Sequence, residues 1–155
     1  MVDSSGLCLY RTTANGDVEV LIGHMGGPFW AGQHERAWSF PKGIHDDGEH
    51  DHLTVALREF EEEMGSPPPD GPTVALGKVR SGNKKITIFA REGEFDAATA
   101  VSNTFTMEWP RGSGNVQEFP EIDAAVWASV DEARSMLTER QTKFLDRLLD
   151  RLEPT

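Results

Sequence analysis

The sequence predicts one domain of mixed α/β or α+β class, and three observations support this prediction. The chain has 155 residues, about the length of one domain, so we expect a single domain over residues 1–155. Hydrophobic residues make up 37% of the chain, which is compatible with a packed core. Segments with strand character come before, between and after segments with helical periodicity, as expected when helices pack on a sheet.

Apolar runs bounded by turn residues define the strands. The predicted strands are residues 6–11, 17–23, 37–40, 73–80, 84–91 and 124–129. Asn15-Gly16 joins the first two, and this dipeptide is the strongest short-range hairpin signal. Ser81-Gly82-Asn83 joins the strands of a second predicted hairpin. Residues 92–111 show no readable pattern.

Apolar residues at three- and four-residue spacing predict a first helix with one buried face. They are Leu53, Ala56, Leu57, Phe60 and Met64. Gly65 is a suitable C-terminal cap, and the prolines at positions 67–69 cannot continue the helix.

Two further helices are predicted near the C-terminus. The longer one presents an apolar face made of Phe144, Leu145, Leu148, Leu149 and Leu152. Thr138 with Gln141 has the spacing of a capping box for this helix. Ser129 with Glu132 has the same spacing before a shorter helix over residues 131–137.

The charge balance excludes two classes of partner. The chain has 26 acidic and 15 basic residues, for a net charge of −11. Such a chain has no basic surface for a nucleic-acid duplex or an anionic membrane. With one cysteine, Cys8, no intramolecular disulfide can form, and we expect a buried thiol. We also expect a cytoplasmic protein, since the sequence shows neither a signal peptide nor an apolar run of about 18 residues.

Three carboxylates are concentrated near the end of the first predicted helix. Glu59, Glu62 and Glu63 share one arc of its surface, at the border of the apolar stripe. Repulsion costs about 0.2–0.5 kcal/mol per pair, and the negative end of the helix dipole adds about 0.3–1 kcal/mol for each carboxylate. Bound Mg²⁺ would remove this conflict, because it prefers carboxylate oxygens. The alternative is a solvated acidic helix end.

The residues before this helix extend the pattern into a longer motif. Residues 38–43, Trp-Ser-Phe-Pro-Lys-Gly, lead from a predicted strand into a loop that feeds the acidic helix. The whole segment resembles the Nudix hydrolase signature, in which a glycine and a glutamate precede an Arg-Glu pair, two adjacent glutamates and a final glycine. The matching residues are Gly43, Glu49, Arg58, Glu59, Phe60, Glu62, Glu63 and Gly65.

The segment departs from the signature at two positions. Eight residues separate Glu49 from Arg58 where the family has seven, so the loop carries a one-residue insertion. Ser66 stands where the family has an aliphatic residue. The insertion favours one alternative to an enzyme, namely a nucleotide-binding or regulatory Nudix module with impaired catalysis.

The resemblance implies a Nudix-type α/β/α sandwich with a mixed sheet, and Mg²⁺-dependent hydrolysis of a phosphoanhydride bond, with Mn²⁺ as an alternative ion. It makes Glu59, Glu62 and Glu63 metal ligands, with Glu59 or Glu63 also accepting a proton from water. Arg58 would orient a glutamate, and Gly43 and Lys42 would approach metal or phosphate. A further acid from a distant loop is expected at Glu121, with Glu118 as the second candidate; the alternative is a surface acid.

The sequence Pro41-Lys42-Gly43 resembles the Nudix branch that acts on dinucleoside polyphosphates or inositol pyrophosphates. The expected partner is therefore a nucleotide or polyphosphate, with dinucleoside polyphosphates first. Damaged nucleoside triphosphates, nucleoside diphosphate sugars and inositol pyrophosphates remain open. The sequence does not predict the oligomeric state.

Several aromatic and basic residues are candidates for substrate contact. The aromatic ones are Phe29, Trp30, Phe105 and Trp109, for which burial in the core is the alternative. The basic ones are Lys78, Arg80, Lys84 and Lys85, which fit a solvated hairpin equally well. His45, His50 and His52 are expected to lie in a solvated loop, and a transition-metal site is the weaker interpretation.

Overall fold

The computed structural model describes residues 1–153. The strands are β1 (Val2–Thr12), β2 (Val18–Met25), β3 (Trp38–Ser39), β4 (Lys42–Ile44), β5 (Thr73–Ser81), β6 (Lys84–Glu92), β7 (Thr104–Glu108), β8 (Val116–Pro120) and β9 (Ile122–Ser129). The helices are α1 (His52–Met64), α2 (Val130–Met136) and α3 (Thr142–Leu152), with 3₁₀ turns at Ala97–Thr99 and Glu139–Gln141. Within this part of the chain, no helix is long and apolar enough to cross a membrane.

Seven strands form one mixed sheet in which β3, β2, β1, β6 and β5 are neighbours in that order. The strand β1 runs parallel to β6, whereas its pairings with β2 and β4 are antiparallel. One half of β1 pairs with β4 and the other half with β2, so the segment containing β3 and β4 fills the space where β1 and β2 diverge. Lys42 and Gly43 thereby lie opposite Gly6 and Ser5 of β1.

Helices cover both faces of this sheet, which confirms the predicted α/β/α sandwich. On one face, Phe60 and Met64 of α1 pack against leucines of β1 and β2. On the other face, α2 and α3 cover a second apolar cluster that includes Phe144 and Cys8. Cys8 is fully buried as predicted, and burial raises the pKa of its thiol.

The predicted strands and helices are present, with corrections at their ends. The first strand begins at Val2 rather than residue 6, because β6 pairs with β1 from that point. The strand predicted at residues 37–40 is shorter, β3 at Trp38–Ser39, and it ends before Pro41, which lacks a backbone N–H. A further strand that was not predicted, β4, follows Pro41. The unreadable residues 92–111 contain a 3₁₀ turn and β7, which pairs with β8 in a separate hairpin.

The two predicted capping boxes have different outcomes. Ser129 and Glu132 form theirs, with both reciprocal hydrogen bonds present. The box of Thr138 with Gln141 is wrong, because Thr138 makes no side-chain cap. The buried Gln141 side chain is already used: its Oε1 accepts from the Phe40 N–H at 2.9 Å, and its Nε2 donates to the Ser39 hydroxyl at 3.0 Å.

Candidate functional site

Helix α1 carries Glu59 into the interior of the site. The Asp51 side chain caps the first turn, and Gly65 ends the helix in the left-handed conformation, as predicted. Glu59 is only 9% exposed and therefore lies within the packed face of α1, not at its border as the sequence suggested. A Cβ at Gly43 would lie 2.0 Å from Cδ of Glu59. The carboxylate can occupy this position because residue 43 is a glycine.

Arg58 links the motif carboxylates to one another. Its Nη2 and Nε donate to the two carboxylate oxygens of Glu49 at 2.7 and 3.1 Å. Its Nη1 donates to Glu59 and to Glu62, each at 3.0 Å. The hydrogen bonds to Arg58 hold the pKa of Glu49 below its ordinary value. The inserted residue therefore does not separate Glu49 from Arg58.

Lys42 is a half-buried cation near these carboxylates. Its backbone N–H donates to Oε1 of Glu63 at 3.2 Å. Its ammonium lies within electrostatic range of Glu63, Glu59 and Glu121. Burial raises the pKa of Glu63 and of Glu59, and the neighbouring carboxylates raise both further. Burial therefore disfavours the ionised form of Glu63, and the positive charge of Lys42 offsets this effect only in part.

Glu121, the distant acid expected from the sequence, lies between β8 and β9. Glu121 follows Pro120 directly, and its backbone carbonyl accepts from the Gly26 N–H at 2.9 Å. A Cβ at Gly26 would lie 1.9 Å from the Pro120 carbonyl oxygen, so a glycine permits this close approach. The exposed Glu121 carboxylate thereby acts electrostatically on Lys42 and Glu63. Glu118, in contrast, is exposed on β8, opposite Thr106.

The donor chemistry of this cluster fits a hard divalent cation. Glu59, Glu63 and Glu121 offer carboxylate oxygens, the ligands that Mg²⁺ prefers, and a cation would offset the unfavourable burial of negative charge. Over residues 1–153, no three acidic, histidine or cysteine side chains already enclose a metal position. Glu59 and Glu62 instead hydrogen-bond to Arg58. Each accepts from Arg58 through Oε1 only, so these hydrogen bonds can persist while the second carboxylate oxygen turns to a cation.

Aromatic side chains line the surface between the loop after β2 and the hairpin β7–β8. Phe29 is 52% exposed and meets the Trp109 ring edge to face at 5.8 Å between centroids. The Arg111 guanidinium lies 5.2 Å from the Phe29 ring centroid. Trp30 packs against the hydrophobic core instead. The structure thus supports the core alternative for Trp30, and Phe29 is the exposed aromatic residue of this loop.

The structure gives Lys85 and two of the histidines partners other than the metal-site carboxylates. Lys85 pairs with Asp3 at 3.4 Å, whereas its neighbour Lys84 is the lysine within electrostatic range of Lys42. His45 and His52 both contact the hydroxyl of Ser5, at 2.7 and 2.9 Å. The expectation that these two histidines lie in a solvated loop is therefore wrong, because both rings contact a buried serine.

Sequence reasoning missed Ser5, Gly26 and Arg111. A signal for Ser5 was present: Asp3 and Ser5 alternate along β1 in phase with Leu7 and Leu9, which face α1. Polar residues in phase with core residues mark a polar cluster on the same face of the sheet. Gly26 and Arg111 carry no such signal, because their contacts depend on how a loop and a hairpin meet.

The comparisons with known proteins agree with this architecture. A family model described as the NUDIX domain matches residues 6–148. A C. elegans Ap4A hydrolase binary complex is 20% identical over 98% of this chain and 98% of that chain, with a TM-score of 0.61. The NUDIX domain of Shewanella oneidensis NrtR, complexed with ADP ribose, is 13% identical over 99% and 89%, with a TM-score of 0.66. A MutT protein from Methanosarcina mazei Go1 is 16% identical over 99% and 96%, with a TM-score of 0.59. No curated protein sequence matches.

Proposed function

The chain belongs to the Nudix family of pyrophosphohydrolases, and we propose that it cleaves a phosphoanhydride bond in a nucleoside diphosphate-linked substrate with Mg²⁺. A dinucleoside polyphosphate is the first candidate substrate. The observation that carries this proposal is the placement of two motif carboxylates against strand β4, with Glu59 beside Gly43 and Glu63 accepting from the N–H of the half-buried Lys42. A phosphate chain with a divalent cation suits this mixture of charges, because the cation neutralises the carboxylates while the lysine meets phosphate oxygens.

We assign the following roles in metal binding to residues of this chain. Mg²⁺, held by Glu59, Glu62 and Glu63 with Glu121 as a further acid, would supply positive charge to the phosphate oxygens. Arg58 keeps Glu59 and Glu62 in place through its hydrogen bonds. The same ligands would hold Mn²⁺.

The reaction joins a water oxygen to phosphorus and breaks the bond to the bridging oxygen of the anhydride. The water proton would pass to a carboxylate. Glu63 and Glu59 suit this role because their raised pKa values make them better proton acceptors than an ordinary glutamate. The cleaved bridging oxygen leaves on the second phosphate product.

The aromatic pair of the exposed Phe29 and the half-buried Trp109 supports a nucleotide as the substrate. Gly26 contacts Glu121, and three residues of extended chain span at most about 11 Å, so Phe29 lies within that distance of Gly26. A base stacked on Phe29 or Trp109 would gain about 1–3 kcal/mol, with its phosphates directed toward Lys42. Solved structures of similar fold include an Ap4A hydrolase and a domain complexed with ADP ribose. Ap4A and ADP ribose are both nucleotide compounds.

The test is product analysis with Mg²⁺ and a panel of diadenosine polyphosphates, nucleoside triphosphates, ADP-sugars and an inositol pyrophosphate. Glu62→Gln is the matched variant, because it removes a carboxylate that is 38% exposed without opening a cavity. We expect Mg²⁺-dependent cleavage that falls by about 100-fold or more in the variant, with an unchanged circular dichroism spectrum. Mn²⁺ in place of Mg²⁺ tests the choice of ion.

Two outcomes would contradict the proposal. Wild-type turnover by Glu62→Gln would show that this carboxylate is not a metal ligand. Nucleotide binding without cleavage by the wild-type protein would favour the binding or regulatory module. The observation that favoured this alternative was the insertion after Glu49, yet Glu49 keeps both hydrogen bonds to Arg58.

A further inference from the structure

A chain of hydrogen bonds connects the interior of the sheet to the inserted loop. The fully buried Ser5 lies at its centre, on β1. Its hydroxyl contacts Nε2 of His45 at 2.7 Å and Nδ1 of His52 at 2.9 Å. On the other side of its ring, Nδ1 of His45 lies 3.3 Å from the carbonyl oxygen of Glu49. Thus β1, the start of α1 and the backbone of Glu49 are joined through one serine hydroxyl.

When both histidine rings are neutral, the chemistry of the partners determines which atom donates and which accepts in each of these hydrogen bonds. A carbonyl oxygen only accepts, so Nδ1 of His45 carries the proton and donates to Glu49. Nε2 of His45 then accepts from the Ser5 hydroxyl, and the serine oxygen accepts from Nδ1 of His52. Each polar atom in the chain has a complementary partner, which a buried polar network requires.

At Glu49, this series of hydrogen bonds reaches the Arg58 guanidinium, which lies between the metal-site carboxylates. The Glu49 carboxylate accepts two hydrogen bonds from Arg58, and Arg58 in turn donates to Glu59 and Glu62. The Glu49 N–H donates to the Asp46 carbonyl at 3.0 Å, which closes the turn. A residue that fixes the Glu49 backbone therefore limits where its carboxylate can hold Arg58.

We propose that Ser5 and His45 are positioning residues that hold Glu49, and through it Arg58, in the geometry the metal-site glutamates need. This role rests on the proposed function. It also explains how a loop one residue longer than the family signature keeps Glu49 on Arg58: the His45 ring anchors the loop to β1. Neither residue contacts the reacting atoms.

Two substitutions of His45 separate the two ends of its ring. An asparagine amide occupies the place of Nδ1 and can still donate to the Glu49 carbonyl, whereas a glutamine amide reaches the place of Nε2 and serves only Ser5. We expect His45→Gln to lower kcat about tenfold, the usual effect of losing a group that orients a metal ligand. KM should not change. We expect His45→Asn to lower kcat as well, because it keeps the contact with Glu49 but loses the anchor to Ser5. The control His50→Ala, which alters an exposed residue of the same loop, should match wild type.

A second measurement needs neither metal nor substrate. In the metal-free protein, the NMR signal of the Arg58 Nε–H reports its hydrogen bond to Glu49. Ser5→Ala leaves Nε2 of His45 and Nδ1 of His52 without their partner, so we expect the Arg58 signal to shift and to exchange faster with water. In His50→Ala it should match wild type.

The outcomes are distinct. A wild-type kcat in both His45→Asn and His45→Gln, or an Arg58 signal in Ser5→Ala that matches wild type, overturns the inference. If the wild-type protein cleaves no nucleotide, the proposed function fails, while the Arg58 signal still decides whether Ser5 positions the guanidinium.

Discussion

Helix α1 and the hairpin β7–β8 face the candidate site from two sides, and they are held in opposite ways. Five residues of α1 are buried, and its carboxylates are fixed by Arg58 and by the close approach of Gly43. The hairpin forms a two-stranded sheet of its own, whose residues are exposed or only partly buried. Isolated two-stranded hairpins are marginally stable, so this side of the site has far less structural support.

The difference assigns two tasks to two kinds of structure. Carboxylates that share a cation must keep their spacing, and a packed helix provides this rigidity. Stacking on a base tolerates small shifts, because every base has a π-face. We therefore expect substitutions on the α1 side to reduce turnover and substitutions on the hairpin side to weaken substrate binding.

The largest expected effect is on the α1 side, for Gly43→Ala. The new Cβ would lie 2.0 Å from Cδ of Glu59, so the carboxylate must rotate away from its position. Gly43 does not have a positive φ, so alanine does not strain the backbone. We expect turnover to fall about 100-fold and Mg²⁺ affinity, measured by calorimetry, to fall with it, while the Tm changes little.

The matched control is Gly71→Ala. A Cβ at Gly71 meets its nearest atom at 3.6 Å, an ordinary contact, so neither turnover nor Tm should change. Wild-type turnover by Gly43→Ala would contradict the view that the α1 side depends on rigid placement of Glu59.

A smaller effect is expected on the other side of the site, for Phe29→Ala. Loss of base stacking should raise KM for nucleotide substrates about tenfold at unchanged kcat, since tenfold corresponds to about 1.4 kcal/mol. Phe29 is exposed, so the free energy of unfolding should change by less than about 0.5 kcal/mol. Steady-state kinetics on a dinucleotide and on an inositol pyrophosphate, which has no base, provide the measurement.

Val116→Ala is the control for this variant, because Val116 is an exposed apolar residue on the same hairpin. Its kinetic constants should equal those of wild type. A fall in kcat for Phe29→Ala with unchanged KM would contradict the view that the α1 side controls turnover and the hairpin side controls substrate binding.

The same contrast explains what could be predicted from the sequence. The bounds of α1, its Gly65 cap and the grouping of Arg58 with Glu59 and Glu62 follow from local spacing along a helix. The family resemblance predicted that Gly43 lies close to metal or phosphate, but it did not predict the close approach of Gly43 to Glu59. Spacing could not show that Glu59 is buried, because burial depends on which strand the helix covers.

The sequence did not predict strands β7 and β8 or the contacts of their hairpin. Strands β7 and β8 alternate exposed and partly buried residues and contribute little to either apolar cluster, so their hydrophobic pattern is weak. The choice between Phe29 and Trp30 depended on which neighbour faces the core, and adjacent residues look alike in composition. Gln141 failed as a cap because its amide is bound to β3, a long-range contact that no local rule contains.

The smallest expected effect tests how strongly the α1 side depends on a cation. Burial raises the pKa of Glu63 above its ordinary value of 4.5. Below pH 4.5 the residue is protonated in both the folded and the unfolded state and has no effect on stability. At higher pH the unfolded state ionises first, so the metal-free folded state loses stability as pH rises toward the folded pKa.

Glu63→Gln removes this penalty and keeps an acceptor for the Lys42 N–H. Without metal, we expect the variant to be more stable than wild type at pH 8 by about 1 kcal/mol, or about 2–4 °C in Tm, and the gain should shrink toward pH 5. Saturating Mg²⁺ should reverse the order, because only the wild-type protein gains the full free energy of metal binding. Thermal unfolding at both pH values, with and without Mg²⁺, measures this. A variant less stable than wild type in every condition would mean that Lys42 already neutralises Glu63, and that the α1 side needs no cation for its stability.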